Sequence, residues 1–281
     1  MNERHDTNNT SAYPNTIALA RNVRRDVLRM VHRTRASHVG SCFSMADILA
    51  VLYGCAMNVD PTQPENPKRD RLIVSKGHSA AAIYATLANC GFFPREWLDC
   101  YCDNGGLLAG HVSHQVPGVE LSTGSLGHGL PVALGMALAA KIDADGRRIF
   151  VIVSDGECDE GAIWEAALFA GHHRVDNLTV LVDYNKIQSF GRVADVLQLE
   201  PFAAKWRAFG WAVREIDGHD HEVIRETLNA LPLEEGKPGL MLCHTIKGKG
   251  VSFMEDQLPW HYKSPNDEQL KQALAELEAC E

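Results

Sequence analysis

The sequence contains no apolar run long enough to cross a membrane. Even the run from Val132 to Ala140 is interrupted by a glycine and falls well short of the roughly 20 residues that a spanning helix needs. Residues 1–14 are polar, of mixed charge and without the apolar stretch of a secretory signal, so they are predicted to form a disordered arm. We therefore expect a cytoplasmic protein with no membrane partner.

Basic residues are also in short supply. The 27 lysines and arginines are outnumbered by 36 aspartates and glutamates, which gives a formal net charge of -9. A protein that binds nucleic acid needs a positive surface for the phosphate backbone. Nucleic acid is therefore not an expected partner.

The cysteines lack the spacing of a disulfide framework or a metal site. Cys100 and Cys102 alone lie close together, and C-x-C is not the spacing of a zinc or thioredoxin motif. We expect free thiols, as in a reducing compartment. The eight cysteines are Cys42, Cys55, Cys90, Cys100, Cys102, Cys158, Cys243 and Cys280.

Strand and helix patterns alternate along the chain. Apolar runs such as the one at 148–154 are typical of strands that are buried on both faces. The alternation predicts a doubly wound α/β fold, in which helices flank a mostly parallel sheet, with 15–281 as a single domain. Strands are predicted at 71–75, 148–154, 178–182, 211–216 and 239–244, and helices at 16–36, 45–58 (capped by Ser44), 77–89, 126–141, 159–172, 202–209, 221–231 and 267–279.

Polar residues follow two of these strands. Asp155 and Gly156 end the strand at 148–154, and Asn185 follows the strand at 178–182. In open α/β sheets ligands bind at such strand ends, and helix N-termini with glycine accept phosphate. Carboxylate and amide oxygens suit Mg²⁺ or Ca²⁺, which suggests a metal–diphosphate site. A helix cap at Asp155 and a turn at Asn185 are the alternative interpretation.

These residues are similar to the diphosphate-and-metal motif of thiamine-diphosphate enzymes, and the whole chain from about residue 16 resembles the transketolase family. Seven motifs occur in order. They are Ser37-His38-Val39-Gly40 with Ser44-Met45-Ala46-Asp47; Lys76-Gly77-His78; Gly110-His111; Ser122-Thr123-Gly124-Ser125-Leu126-Gly127; Asp155-Gly156 with Glu160, Glu165 and Asn185-Lys186-Ile187; Thr245-Ile246-Lys247-Gly248-Lys249-Gly250-Val251; and Trp260-His261.

The resemblance implies a thiamine-diphosphate-binding fold and assigns roles to particular residues. Asp155, Asn185 and the Ile187 carbonyl would hold Mg²⁺, with Ca²⁺ as an alternative. His38, His111, His261 and Glu160 would be catalytic, and Glu160 with Glu165 would lie at a junction between chains. Thiamine diphosphate would contact His78, Gly124, Ser125, Leu126, Gly156, Glu157, Asn185 and His261.

The sequence departs from the family pattern at three positions around this site. Ser154 replaces a common glycine, Phe190 stands where an aspartate is frequent, and Tyr262 stands where a glycine is common. The changes at Phe190 and Tyr262 bear on substrate choice more than on cofactor binding.

A complete transketolase contains a region similar to this chain and, in addition, a pyrimidine-binding domain and a third, C-terminal domain. The resemblance therefore implies the N-terminal subunit of a split transketolase, which transfers a two-carbon ketol unit between sugar phosphates. The expected partner is a C-terminal subunit that carries the pyrimidine-binding domain, in a 2+2 heterotetramer.

Three alternatives remain open at this stage. The chain could serve a transketolase for a branched or sulfonated sugar phosphate. It could be part of another thiamine-diphosphate enzyme, such as the α subunit of a 2-oxo acid dehydrogenase or a deoxyxylulose-phosphate synthase. It could also be a non-catalytic partner subunit that kept the fold.

Overall fold

The computed structural model describes residues 15–279, so the predicted disordered arm at 1–14 and Cys280 lie outside the described residues. Strands and helices alternate through most of the chain, as the pattern predicts. The strands are β1 (Arg71–Val74), β2 (Ile149–Ser154), β3 (Leu178–Tyr184), β4 (Ala212–Asp217) and β5 (Gly239–His244). The helices are α1 (Thr16–Thr34), α2 (Val39–Ser44), α3 (Ala46–Val51), α4 (Ala80–Asn89), α5 (Gly129–Asp143), α6 (Gly161–His172), α7 (Val193–Val196), α8 (Phe202–Ala208), α9 (His221–Asn229) and α10 (Asp267–Ala279).

The five strands form one parallel sheet in the order β1-β2-β3-β5-β4. Every residue of β2 and β3 is buried, as expected for apolar strands that are covered on both faces. The edge strand β4 instead contains exposed residues, namely Arg214, Glu215 and Asp217, as well as buried ones. The predicted parallel, doubly wound sheet is confirmed.

Successive residues of a central strand face two different apolar cores. Phe150 and Ile152 belong to a core that includes residues of α1, α3 and α4. Val151 and Val153 belong to a second core with residues of α5, α6 and α8. The period of two along the strand therefore places one helix layer on each face of the sheet.

The predicted helix at 45–58, with Ser44 as its cap, is wrong in detail. The helical path is divided into α2, α3 and one π-helical turn at Leu52–Ala56. Ser44 is the last residue of α2, and its hydroxyl donates to the carboxylate of Asp183 over 2.6 Å. Its partner lies on β3, far away in sequence, so local capping rules could not identify it.

The helix predicted at 126–141 begins at Gly129 instead. Gly127 adopts a φ of 84°, which favours glycine and is incompatible with a helix, and its N–H donates to Glu157 over 2.9 Å. Ile17 of α1 is 62% exposed although it follows the helical spacing of the apolar residues in that helix. No described helix is long and apolar enough to span a membrane. The seven cysteines within 15–279 form no disulfide bond with one another.

Candidate functional site

A pocket of about 390 Å³ opens where four parallel strands end. Its lining includes Lys76 after β1, Asp155 after β2, Asn185 after β3 and Lys247 after β5. Most of the residues that the sequence singled out meet here. They are His38, His78, His111, Gly124, Leu126, Asp155, Gly156, Glu160, Asn185, Ile187 and His261.

The loops that carry Asp155 and Asn185 are in direct contact. Ser154 of β2 pairs with Asp183 of β3, and one carboxylate oxygen of Asp155 accepts the Lys186 N–H over 2.6 Å. The cap and turn contacts of the alternative interpretation are present too. The Asp155 carboxylate accepts the Gly156 N–H, and Asn185 Oδ1 accepts the Ile187 N–H. Carboxylate and amide oxygens have more than one lone pair, so these contacts leave room for a cation.

Asp155 has no direct ion-pair partner among the described residues, although the Lys76 charge acts on it. It is 2% exposed, and no lysine or arginine side chain within 15–279 forms an ion pair with it. Burial, and then the nearby Asp183 carboxylate, raise its pKa to about 6. A buried carboxylate of this kind is stabilised by a cation.

The donors around Asp155 fit a hard cation. The Asp155 carboxylate, the Asn185 amide and the Ile187 carbonyl offer only oxygen, which Mg²⁺ and Ca²⁺ prefer. Residues 15–279 contain no group of three or more His, Cys, Asp or Glu side chains placed to hold a metal. A cation at this pocket would therefore depend on mixed oxygen donors rather than on a zinc-type cluster.

Asp183, beneath the pocket, is fully satisfied. Its carboxylate pairs with the buried Lys76 ammonium and accepts the hydroxyls of Ser44 (2.6 Å) and Thr245 (2.5 Å). Burial alone would raise the pKa of Asp183, but the Lys76 ammonium and these hydrogen bonds hold it below its usual range. Sequence reasoning missed both Asp183 and Lys76.

The histidines form a cluster on the other side of the pocket. The ring centroid of His38 lies 5.0 Å from that of His78, 4.9 Å from that of His261 and 6.5 Å from that of His111. Burial, and then neighbouring positive groups, lower the pKa of His38 to about 4 and that of His261 to about 3. These two rings are therefore neutral near pH 7 and can donate at one nitrogen and accept at the other.

Two predicted cofactor contacts lie elsewhere. Ser125 is exposed but is not part of the pocket lining. Glu157 is completely buried below the pocket, where it accepts the N–H groups of Gly127 (2.9 Å) and Ser154 (3.3 Å) and the Ser75 hydroxyl. Glu157 thus joins the ends of two strands to the turn before α5, a role that the sequence did not reveal.

Lys247 is a further residue that the sequence motif contained without indicating its role. The side chain is 1% exposed, and its ammonium donates to the Ile187 carbonyl (2.9 Å) and to His261 Nδ1 (2.8 Å). Burial, and then the Lys76 charge, lower its pKa to about 8. Lys247 therefore bridges the loop after β3 and the histidine cluster.

Aromatic side chains stand near the pocket. Phe190 is part of the lining and is 84% exposed. Tyr262 is 58% exposed, and its ring centroid lies 4.6 Å from that of His261. Two of the positions at which the sequence departs from the family pattern are therefore at or next to the pocket.

Comparison with known proteins identifies the family. The family described as "Transketolase, thiamine diphosphate binding domain" matches residues 16–277. The chain is 44% identical over 257 residues to the 6-deoxy-6-sulfo-D-fructose transketolase subunit SqwG of a Clostridium species, covering 91% of this chain and 94% of the relative. It is 41% identical over 254 residues to an apulose-4-phosphate transketolase subunit of Phocaeicola vulgatus, covering 90% of each.

The fold of this chain is also similar to solved structures of transketolases. The transketolase of Campylobacter jejuni superposes with a TM-score of 0.86 at 30% identity, over 94% of this chain and 42% of that enzyme. The chain thus spans less than half of the longer enzyme. Together with the family match and the separate subunits among its relatives, this shows that the chain belongs to the transketolase family, as a subunit of the N-terminal, thiamine-diphosphate-binding type.

Proposed function

We propose that this chain supplies the diphosphate half of the active site in a two-subunit transketolase. The enzyme would transfer a two-carbon ketol unit from a ketose phosphate to an aldose phosphate. The observation that carries the proposal is the buried Asp155 carboxylate at the strand ends, which has no ion-pair partner among the described residues and lines the same pocket as the neutral rings of His38 and His261. A non-catalytic subunit would have no need to keep such a charge buried.

Mg²⁺ is the cation we assign to the oxygen donors, with Ca²⁺ as the alternative. Asp155, Asn185 and the Ile187 carbonyl would hold it, and His78 with Gly156 would lie at the diphosphate. Gly124 and Leu126, which line the pocket, would border the aminopyrimidine. When bound, thiamine diphosphate supplies the carbon that makes and breaks the carbon–carbon bond and the ring that accepts the electron pair.

The histidines would act on the sugar. His38, His111 and His261 line the same pocket, and an imidazole N–H can donate to a carbonyl or hydroxyl oxygen of the sugar. We expect His111→Ala and His261→Ala each to lower turnover by about 10²–10⁴-fold and to leave cofactor affinity nearly intact. Steady-state kinetics and calorimetry check this, and a collapse of cofactor affinity would contradict the assignment.

The partner would be a C-terminal subunit with the pyrimidine-binding domain, in a 2+2 heterotetramer in the cytoplasm. The described cysteines form no disulfide bonds with one another, which agrees with a reducing compartment. Leu168 (55% exposed) and Phe169 (44% exposed) lie on α6, the helix that begins beside Glu160 and contains Glu165. Exposed apolar side chains next to these glutamates support an interface between chains at α6.

The substrate could be an unusual sugar phosphate rather than one of the pentose phosphate pathway. Relatives at 44% and 41% identity are named for 6-deoxy-6-sulfo-D-fructose and apulose 4-phosphate. Phe190 in the lining and Tyr262 beside His261 also give this pocket an aromatic border. These observations favour a dedicated transketolase as the second candidate.

Reconstitution tests both candidates. The chain would be assayed alone and with the C-terminal transketolase subunit of its own organism, with Mg²⁺ and thiamine diphosphate, over xylulose 5-phosphate, 6-deoxy-6-sulfo-fructose and apulose 4-phosphate. We expect activity only in the mixture, and the preferred donor identifies the candidate. Full ketol transfer by the isolated chain would overturn the two-subunit proposal.

A further inference from the structure

The Lys247 ammonium bears directly on the chemistry of one substrate-facing histidine. Its two hydrogen-bond partners among the described residues are the Ile187 carbonyl (2.9 Å) and His261 Nδ1 (2.8 Å). An ammonium has three donors and no acceptor, so His261 Nδ1 must accept. A neutral imidazole carries its proton on the other nitrogen in that case, and His261 is left with Nε2–H as its donor.

The Lys247 side chain is held in place along its length. A Cβ added to Gly40 would approach Lys247 Cγ to 3.0 Å, so the glycine of α2 gives room for the lysine stem. The Gly40 carbonyl also accepts the Gly248 N–H over 3.0 Å, next to Lys247 in the chain. Packing and a backbone hydrogen bond thus define the path of this side chain.

The backbone before Lys247 is fixed by a second network. The N–H of Ile246 donates to His219 Nε2 (2.8 Å), and His219 Nδ1 in turn donates to the buried Asp47 carboxylate (2.6 Å). The carbonyl of His261 accepts the N–H of His38 over 2.8 Å, which anchors the other end of the contact. Both ends of the Lys247–His261 hydrogen bond are therefore tied to α2, α3 and the loop after β4.

We infer that Lys247 is a positioning residue that holds His261 as its Nε2–H tautomer, so that the ring presents an N–H donor rather than an acceptor to the sugar. The contact is a geometric property of this chain and does not depend on bound cofactor. Its consequence for turnover rests on the proposed function. The lysine excludes the Nδ1–H tautomer of His261. In that tautomer Nε2 would carry no proton and would present an acceptor to a substrate oxygen.

Nitrogen NMR of the metal-free chain tests the tautomer itself. The chain would be labelled with ¹⁵N-histidine, and His261→Gln would assign the signals in long-range ¹H–¹⁵N correlation spectra. We expect His261 to show a protonated Nε2 and an unprotonated Nδ1. In Lys247→Met, which keeps the side-chain length and removes the ammonium, we expect a mixture of both tautomers.

The matched control is Lys249→Met. Lys249 lies two residues further along the same loop, outside the pocket lining, and pairs with Glu255 at 3.6 Å. We expect the His261 signals of this variant to equal those of the wild type. A protonated Nδ1 in the wild type, or an unchanged single tautomer in Lys247→Met, would overturn the inference. If Lys247→Met fails to fold, the wild-type spectrum alone still tests the inference, because it shows which nitrogen of His261 is protonated.

A double-mutant cycle in the assembled enzyme tests whether Lys247 acts through His261. We expect Lys247→Met to lower kcat about 10- to 100-fold, less than the loss of a direct acid–base group can cost. Added to His261→Ala, it should lower kcat no further, because its target is gone. Fully additive effects would refute the positioning role. Complete inactivity of the wild-type mixture would refute the proposed function and leave the NMR result standing.

Discussion

Asp47 and Asp155 are both buried carboxylates, with 5% and 2% of their surface exposed, but their surroundings differ. Asp47 pairs with the Arg24 guanidinium at 2.6 Å and also contacts His219 and His221. Asp155 contacts only backbone N–H groups. The first charge is balanced by a direct ion pair and is structural, whereas the second has no ion-pair partner among residues 15–279 and is the carboxylate that we propose to bind a cation.

The pKa values follow this difference. Burial would raise both, but the Arg24 charge and the contacts from His219 and His221 hold the pKa of Asp47 well below its usual range. Without such partners, burial and Asp183 raise the pKa of Asp155 to about 6. Similar burial thus gives opposite shifts, and the partners determine the sign.

The largest effect is expected for Asp155→Asn. This change keeps the side-chain size and removes the charge that would balance the cation, so Mg²⁺-dependent binding of thiamine diphosphate should fall below detection while the fold survives. Calorimetry with Mg²⁺ measures the affinity, and circular dichroism checks the fold. Wild-type affinity for thiamine diphosphate in this variant would show that Asp155 does not hold the cation and so does not differ from Asp47 in that respect.

Asp47→Asn should show the opposite pattern. It leaves the buried Arg24 guanidinium without its carboxylate, and breaking a buried ion pair costs about 3–5 kcal/mol of stability. Urea denaturation measures the loss. At low temperature, where the variant remains folded, its cofactor affinity should stay close to that of the wild type. Equal stability of the variant and the wild type would show that Asp47 is not the structural member of the pair.

The pH dependence of the metal-free chain separates the two carboxylates further. Because the pKa of Asp155 is raised from 3.8 to about 6, its contribution to stability is present below about pH 4 and is lost as pH rises through 6. At about 1.4 kcal/mol per pKa unit, the loss amounts to about 3 kcal/mol at most. Denaturation from pH 4 to 7 should show Asp155→Asn gaining stability over the wild type by up to this amount.

The contribution of Asp47 to stability should depend on pH in the opposite direction. Its pKa is lowered on folding, so its stabilising contribution is present above about pH 4 and is lost as pH falls through the folded value. The stability difference between Asp47→Asn and the wild type should therefore shrink on acidification. A difference that grows instead would contradict the assigned sign.

The smallest effect is expected for His221→Ala. His221 Nε2 lies 3.1 Å from Asp47, and its Nδ1 lies 2.8 Å from the Thr16 hydroxyl. Without His221, the Arg24 guanidinium still balances the carboxylate and His219 still donates a hydrogen bond to it. A lost hydrogen bond of this kind costs about 1 kcal/mol. Urea denaturation measures it, and a loss as large as that of Asp47→Asn would show that the network depends on all its members.

Local patterns in the sequence predicted the sheet and the central part of the site. Apolar runs marked β2 and β3, and the convergence of parallel strand ends brought Asp155 and Asn185 to one place. The histidines came from the family resemblance rather than from spacing. Where the predictions missed, as at Ser44 and at the first residue of α5, a distant partner had overridden local propensity.

The residues that balance charge could not be predicted. Lys76 pairs with Asp183 across 107 positions of sequence, and Ser44 reaches the same carboxylate across 139. Glu157 was predicted at the cofactor but lies below the pocket, because its oxygens accept the N–H groups of Gly127, in the turn before α5, and of Ser154, at the end of β2. No local pattern records contacts of this range.

The sequence by itself determined the order of strands and helices, the oxygen donors that follow β2 and β3, and the family, because these depend on residue type and spacing along the chain. Only the tertiary structure decided which buried charges are neutralised. Asp47, Asp155 and Asp183 are alike as residues. Their free energies in the ionised form differ because folding pairs Asp47 and Asp183 directly with Arg24 and Lys76, whereas no described lysine or arginine forms an ion pair with Asp155.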